Sequence, residues 1–69
     1  MHQKLEDTIK ARRKALRLSQ EDLASLSGVA LRTLKALEVG EGNPSLRTLR
    51  KIAEVLGMEI RLEVKRLDT

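Results

Sequence analysis

The chain has no cysteine and no phenylalanine, tyrosine or tryptophan, and its 69 residues include one proline and one histidine. Without cysteine there is no disulfide and no thiolate nucleophile, and His2 alone cannot complete a Cys/His set for zinc. The missing rings remove the stacking platforms on which single-strand binders and most RNA modules rely. They also leave the core to leucine, isoleucine, valine and alanine. No apolar run approaches the roughly 20 residues of a membrane span, and the opening MHQKLEDTIK has no signal-peptide core. A soluble, cytoplasmic protein of one small domain is expected. A chain of this length buries only roughly 60% of the surface it exposes when unfolded, so its stability is expected to lean on a partner. Enzymatic readings lack their parts: there is no Gly-rich phosphate loop and no metal-ligand spacing. Glu21 and Asp22, adjacent at a helix start, are better explained as capping charges than as an acid/base pair. Neither a cofactor nor a metal is expected.

The stretch from Ser19 to Gly40 organises the rest. Ser19 is a good N-cap with Asp22 three residues on, a carboxylate variant of the capping box, so a helix should open at Gln20. Leu23, Ala24 and Leu26 give it a narrow apolar face, and Gly28 supplies the left-handed position that ends it. After Val29 and Ala30, Leu34 and Leu37 recur at helical spacing, with Arg32, Lys35 and Glu38 flanking them until Gly40. Two helices this short cannot bury their own apolar faces and need packing partners.

The flanking chain supplies those partners. Leu5, Ile9 and Leu16 lie near one face of a helix expected over residues 4–17, and Leu18 tucks under it before the Ser19 cap. The loop EGNPS leads to Ser45 as the next N-cap. Leu46, Leu49, Ile52, Ala53 and Leu56 follow at spacings of three and four, a plain amphipathic helix ended by Gly57. The period then changes to two. In MEIRLEVKR, Met58, Ile60, Leu62 and Val64 share one face and Glu59, Arg61, Glu63 and Lys65 the other, which predicts a half-buried β-strand. A lone strand must find its partner outside the chain, and antiparallel pairing with its own copy in a homodimer is the economical solution. Residues 1–57 are thus read as one domain and 58–69 as a dimerisation strand.

The formal charge is +4, and the excess basic residues cluster around the two short helices. A helix, a tight Gly-containing turn and a second helix with cationic outward positions is the arrangement that lays the second helix in the major groove of double-stranded DNA. On that helix Leu31, Arg32, Thr33, Lys35 and Ala36 are available to bases. Arg32 is the first choice, because a guanidinium can bond guanine O6 and N7 together. Lys35 could do the same or hold a phosphate, and Thr33 and Leu31 could meet thymine methyls. Gln20, at the N-terminus of the preceding helix, is a phosphate candidate. Ser19, Asn43 and Ser45 are further backbone candidates, each with a competing role in capping or turn chemistry. Arg12, Lys14, Arg47 and Arg50 could add nonspecific affinity. The competing reading is a protein-interaction module that does not read DNA, favoured by the apolar Leu31 and neutral Ala36.

Gln20, Ala24, Gly28, Val29, Leu34, Leu37, Glu38 and Gly40, with Asn43-Pro44-Ser45-Leu46 downstream, resemble the lambda-repressor and Cro-like (XRE) helix-turn-helix proteins over about Leu5 to Gly57. The resemblance implies an all-α bundle of four to five short helices, here with one C-terminal strand pairing across a dimer. It also implies a structural ion pair between Arg13 and Glu38. Relatives commonly carry glycine at the position of Arg17, so an arginine keeping that left-handed backbone should cost roughly 1 kcal/mol. The terminal strand and IKARRKALRLSQ look more narrowly like HipB-type antitoxins. That likeness implies a repressor of its own operon with a cognate kinase toxin as partner, while two reading helices in a homodimer would fit a roughly palindromic operator.

Overall fold

The computed structural model describes residues 4–65; His2 and Arg66, the last residue of the expected strand, lie outside them. Four helices follow in order: α1 (Leu5–Ala15), α2 (Gln20–Ser27), α3 (Leu31–Glu38) and α4 (Leu46–Val55). Two of the starts are built as expected. The Ser19 side chain accepts from the Asp22 amide at 2.9 Å while Asp22 accepts from the Ser19 amide at 3.1 Å, completing the reciprocal box. Ser45 accepts from the Thr48 amide at 3.1 Å.

All four helices end the same way. The residue after the last turn is left-handed, and the next amide reaches back five residues: Leu18 to Arg13, Val29 to Ala24, Glu41 to Ala36 and Met58 to Ala53. This closure satisfies carbonyls that a helix end otherwise leaves open. Glycine fills the left-handed place at 28, 40 and 57, and Arg17, at φ 58°, fills it at the end of α1. The strained backbone anticipated for Arg17 is therefore kept. It shortens the helix expected over residues 4–17 to Leu5–Ala15.

Leu23, Leu34, Ile52 and Leu56 are fully buried, joined in the core by Ile9, Ala24 and Leu37. α2 lies against both α3 and α4, and α1 packs on α3. Leu18, Val29, Leu31, Leu49, Val55 and Met58 close the edges. Four apolar assignments are corrected. Leu26 is 64% exposed, and Ser27 takes the inward place, its hydroxyl donating to the Leu23 carbonyl at 2.7 Å. Leu5, Leu16 and Leu46 are also exposed. The reason is common to all four: spacings of three and four both return to a similar face, and the core selects only one stripe of the two.

The expected C-terminal strand is also corrected, since among the described residues 58–65 form no strand. A ladder needs a second row of backbone groups, and the single chain offers none. Met58 belongs to the body instead: its amide closes α4 and its side chain packs on the core. Ile60, Leu62 and Val64 are exposed, the last two almost completely. The Glu59 and Arg61 side chains nevertheless approach to 3.7 Å, on one side of the chain as a period of two requires.

Candidate nucleic-acid interface

α3 is fixed from beneath by a buried polar network. Arg13 Nε and Nη2 donate to the two Glu38 carboxylate oxygens at 2.7 and 2.9 Å, a bidentate pair. Arg13 Nη1 donates to the Leu18 carbonyl at 2.8 Å, and Gln20 Nε2 donates to Glu38 Oε1 at 3.1 Å. Arg13 is 8% exposed and Glu38 2%. Burial pushes the Glu38 carboxyl up, but the bonds from Arg13 and Gln20 and the charges of Arg13 and Lys10 outweigh it and hold the group below its ordinary value. The hydrogen bond to Glu38 raises Arg13, against its own desolvation. Both groups are charged at neutral pH, and the network joins α1, the start of α2 and the end of α3.

The opposite face of α3 is open. Arg32 and Lys35 are exposed, and Thr33 and Ala36 are half-buried. No side chain caps its first turn, where Ala30 stands at the N-cap, so its leading N–H groups are left for an external acceptor. Arg32, Thr33 and Ala36 line one side of an open cleft of about 360 Å³, with Glu41, Gly42, Asn43 and Pro44 on the other. The cleft thus brings three of the five expected base readers together with Asn43.

A helix-turn-helix family profile matches residues 9–62, the span that holds this geometry. The chain belongs to the helix-turn-helix family. It is 47% identical over 51 residues to an uncharacterised HTH-type transcriptional regulator of Methanothermobacter thermautotrophicus, covering 74% of each chain. A second such regulator, from Methanocaldococcus jannaschii, is 46% identical over 43 residues, which span 62% of this chain and 65% of that protein. The cryptic phage CTXphi transcriptional repressor RstR of Vibrio cholerae is 35% identical over 57 residues, 83% of this chain and about half (51%) of the repressor.

In this helix-turn-helix protein the remaining candidates divide between α3 and supporting roles. Leu31 is half-buried against the core, so its apolar character is explained within the chain. Ser19 and Ser45 are engaged as caps. Gln20 is half-buried and braced on Glu38, its amide nitrogen already donating. Arg12 has a structural role beside the nonspecific one expected of it: its Nε donates to the Leu56 carbonyl at 2.9 Å, closing the end of α4, where a cation also suits the helix dipole. Sequence pattern offers no signal for that bond, because it joins residues 44 apart. Glu41 was also missed. It stands in the cleft as an acidic group that repels phosphate and could accept a bond from cytosine N4. Among the described residues no helix is long and apolar enough to cross a membrane.

Proposed function

We propose that this helix-turn-helix protein is a homodimeric, sequence-specific repressor of transcription that binds a palindromic operator in double-stranded DNA. The role is binding, without chemistry on the DNA. The observation that carries the reading is the contrast between the two faces of α3: one locked through Glu38, the other open with Arg32, Thr33, Lys35 and Ala36 outward. Arg32 is the base reader, Lys35 a second reader or phosphate contact, and the cleft residue Asn43 a backbone contact. The protein-interaction alternative loses its main support, because Leu31 packs on its own core. The antitoxin role, with its kinase toxin, rests on the likeness of IKARRKALRLSQ and the C-terminal segment, and none of the named relatives is named as an antitoxin.

Selection of bound duplexes from a random pool at moderate salt tests the proposal. The expected product is a two-fold-symmetric site with half-sites about 34 Å apart. Recovery of no preferred sequence would defeat it. Arg32→Ala should cost about 1–3 kcal/mol on the selected site and relax the preference at one position, whereas Gln20→Ala should weaken all sequences alike. Equal losses on operator and random DNA for Arg32→Ala would remove it from the reading role.

A further inference from the structure

Between Lys35 and Arg47 the chain carries no basic residue. That span holds the loop facing Arg32, Thr33 and Ala36 across the cleft, and its one exposed charge is Glu41. Phosphate contacts that carry affinity call for lysine or arginine, so this wall of the cleft is not built for phosphate. An acidic side chain beside the first-choice base reader needs a different account.

The backbone fixes where Glu41 stands. Its amide donates to the Ala36 carbonyl at 2.8 Å, and it lies between Gly40 and Gly42, at φ 80° and 82°. Glycine at both positions lets the loop fold back over the end of α3 without strain. The approach is close: a Cβ on Gly42 would touch the Ala36 Cβ at 3.6 Å. The Glu41 side chain therefore leaves from a loop packed on the outward face of the helix. Among the described residues the ion pairs are Arg13–Glu38 and Glu59–Arg61, so neither Arg32 nor Lys35 neutralises Glu41. We propose that Glu41 is a specificity residue, accepting a hydrogen bond from the N4 amino group of a cytosine in the major groove at a base pair other than the one read by Arg32. The inference rests on the DNA reading proposed above and deepens it.

The chemistry of the base edges selects cytosine. A carboxylate only accepts. In the major groove guanine offers two acceptors, and thymine an acceptor with a methyl group, so neither has a donor for it. Adenine offers its N6 donor beside the N7 acceptor, and the second carboxylate oxygen meets N7 with no hydrogen between them. Cytosine alone presents a donor with no acceptor on its own edge. The charge sharpens the choice. Brought among phosphates without a donor, the carboxylate is repelled and left unpaired, so wrong sequences are penalised as well as the right one favoured. Arg32 is attracted to DNA of any sequence, whereas Glu41 raises the cost of the sequences it does not fit. The two stand on opposite sides of the cleft, which directs them to separate base pairs.

The test repeats the duplex selection with the unaltered chain, Glu41→Ala and Glu41→Gln. Glu41 is exposed, so neither change should disturb the fold, which circular dichroism at 222 nm checks. The unaltered chain should prefer cytosine about tenfold at one position whose preference Arg32→Ala leaves intact. Glu41→Ala should lose that preference while binding random duplexes about threefold more tightly, since a repelling charge is gone. Glu41→Gln should exchange cytosine for adenine at the same position, because an amide matches N6 and N7 together. N4-methylcytosine placed there fills the groove-side N–H, and should cost the unaltered chain about tenfold but Glu41→Ala little. A uniform rise in affinity in both variants, with the selected sequence unchanged, would make Glu41 a repelling charge only and overturn the inference. An equal cost of N4-methylcytosine in the unaltered chain and Glu41→Ala, or variants that bind as the unaltered chain does, would overturn it too. Failure of the unaltered chain to select any sequence would instead defeat the DNA reading itself, and the inference with it.

Discussion

α2 and α3 are both eight residues long, yet they are held in different ways. α2 carries its own start: Ser19 and Asp22 satisfy each other's amides and two acidic residues face the positive end of the helix. α3 has no side-chain cap and no acidic residue in its first turn. Its order comes from below, through Leu34, Leu37 and the Glu38 carboxylate. The difference teaches how a short helix can keep its leading turn free for another molecule. Local capping is withheld on the face proposed for DNA, and the stabilisation is moved to the far end and the buried face.

The largest effect should come from removing the anchor of α3. Glu38→Ala leaves the Arg13 guanidinium buried without its partner and should cost about 3–5 kcal/mol, a large part of the stability of any small domain. Urea unfolding followed by circular dichroism at 222 nm measures it; a loss below about 1 kcal/mol would contradict the role given to the pair. Arg13→Met/Glu38→Leu should recover most of the loss, since an apolar pair no longer strands a charge. Stability should also fall with acid. A carboxylate held below its ordinary value contributes fully above the unfolded value near about 4.3, and that contribution is lost as the pH falls through the lower folded value. Asp22, lowered by the bonds from Ser19, has the same direction. Thermal midpoints should therefore be flat near neutrality and fall below about pH 4, and Glu38→Gln should flatten that fall by removing one of the two groups. An unchanged acid limb in Glu38→Gln would assign the loss elsewhere.

The contrast between the helix starts can be inverted. Ser19→Ala should cost about 1 kcal/mol by opening the box of α2, and Ala30→Asp should add a similar amount by capping α3. The second change should at the same time lower operator affinity, because its carboxylate occupies amides and brings negative charge to the face proposed for DNA. Undiminished binding by Ala30→Asp would argue against that face. Smallest is a control away from both starts: Arg17→Gly should raise stability by up to about 1 kcal/mol with no change in operator affinity, since it relieves a left-handed arginine at an exposed turn.

Much of this was legible in the chain because the punctuation is local. Ser19 with Asp22, Ser45, and the glycines at 28, 40 and 57 mark helix limits by chemistry confined to a few residues. The Arg13–Glu38 pair came from family resemblance, since nothing in the local pattern brings together residues 25 apart. The bond from Arg12 was out of reach for the same reason, its acceptor being a carbonyl at the end of α4. Leu5, Leu16, Leu26 and Leu46 show another limit: the helical period admits two neighbouring stripes, and only the assembled core chooses. The strand period after Met58 identifies a segment suited to pairing, but the pairing depends on a second row of backbone groups.

The adjacent arginines of α1 reach two different elements, Arg12 the end of α4 and Arg13 the end of α3. A first helix packed only by Ile9 would fray on its own and exchange its amide hydrogens quickly. With both guanidinium groups engaged, α1 cannot lift away without uncovering a charge in the interior. Its central amides should therefore exchange only when the whole domain opens, with the same protection as those of α3, while those of 59–65 exchange freely in the isolated chain.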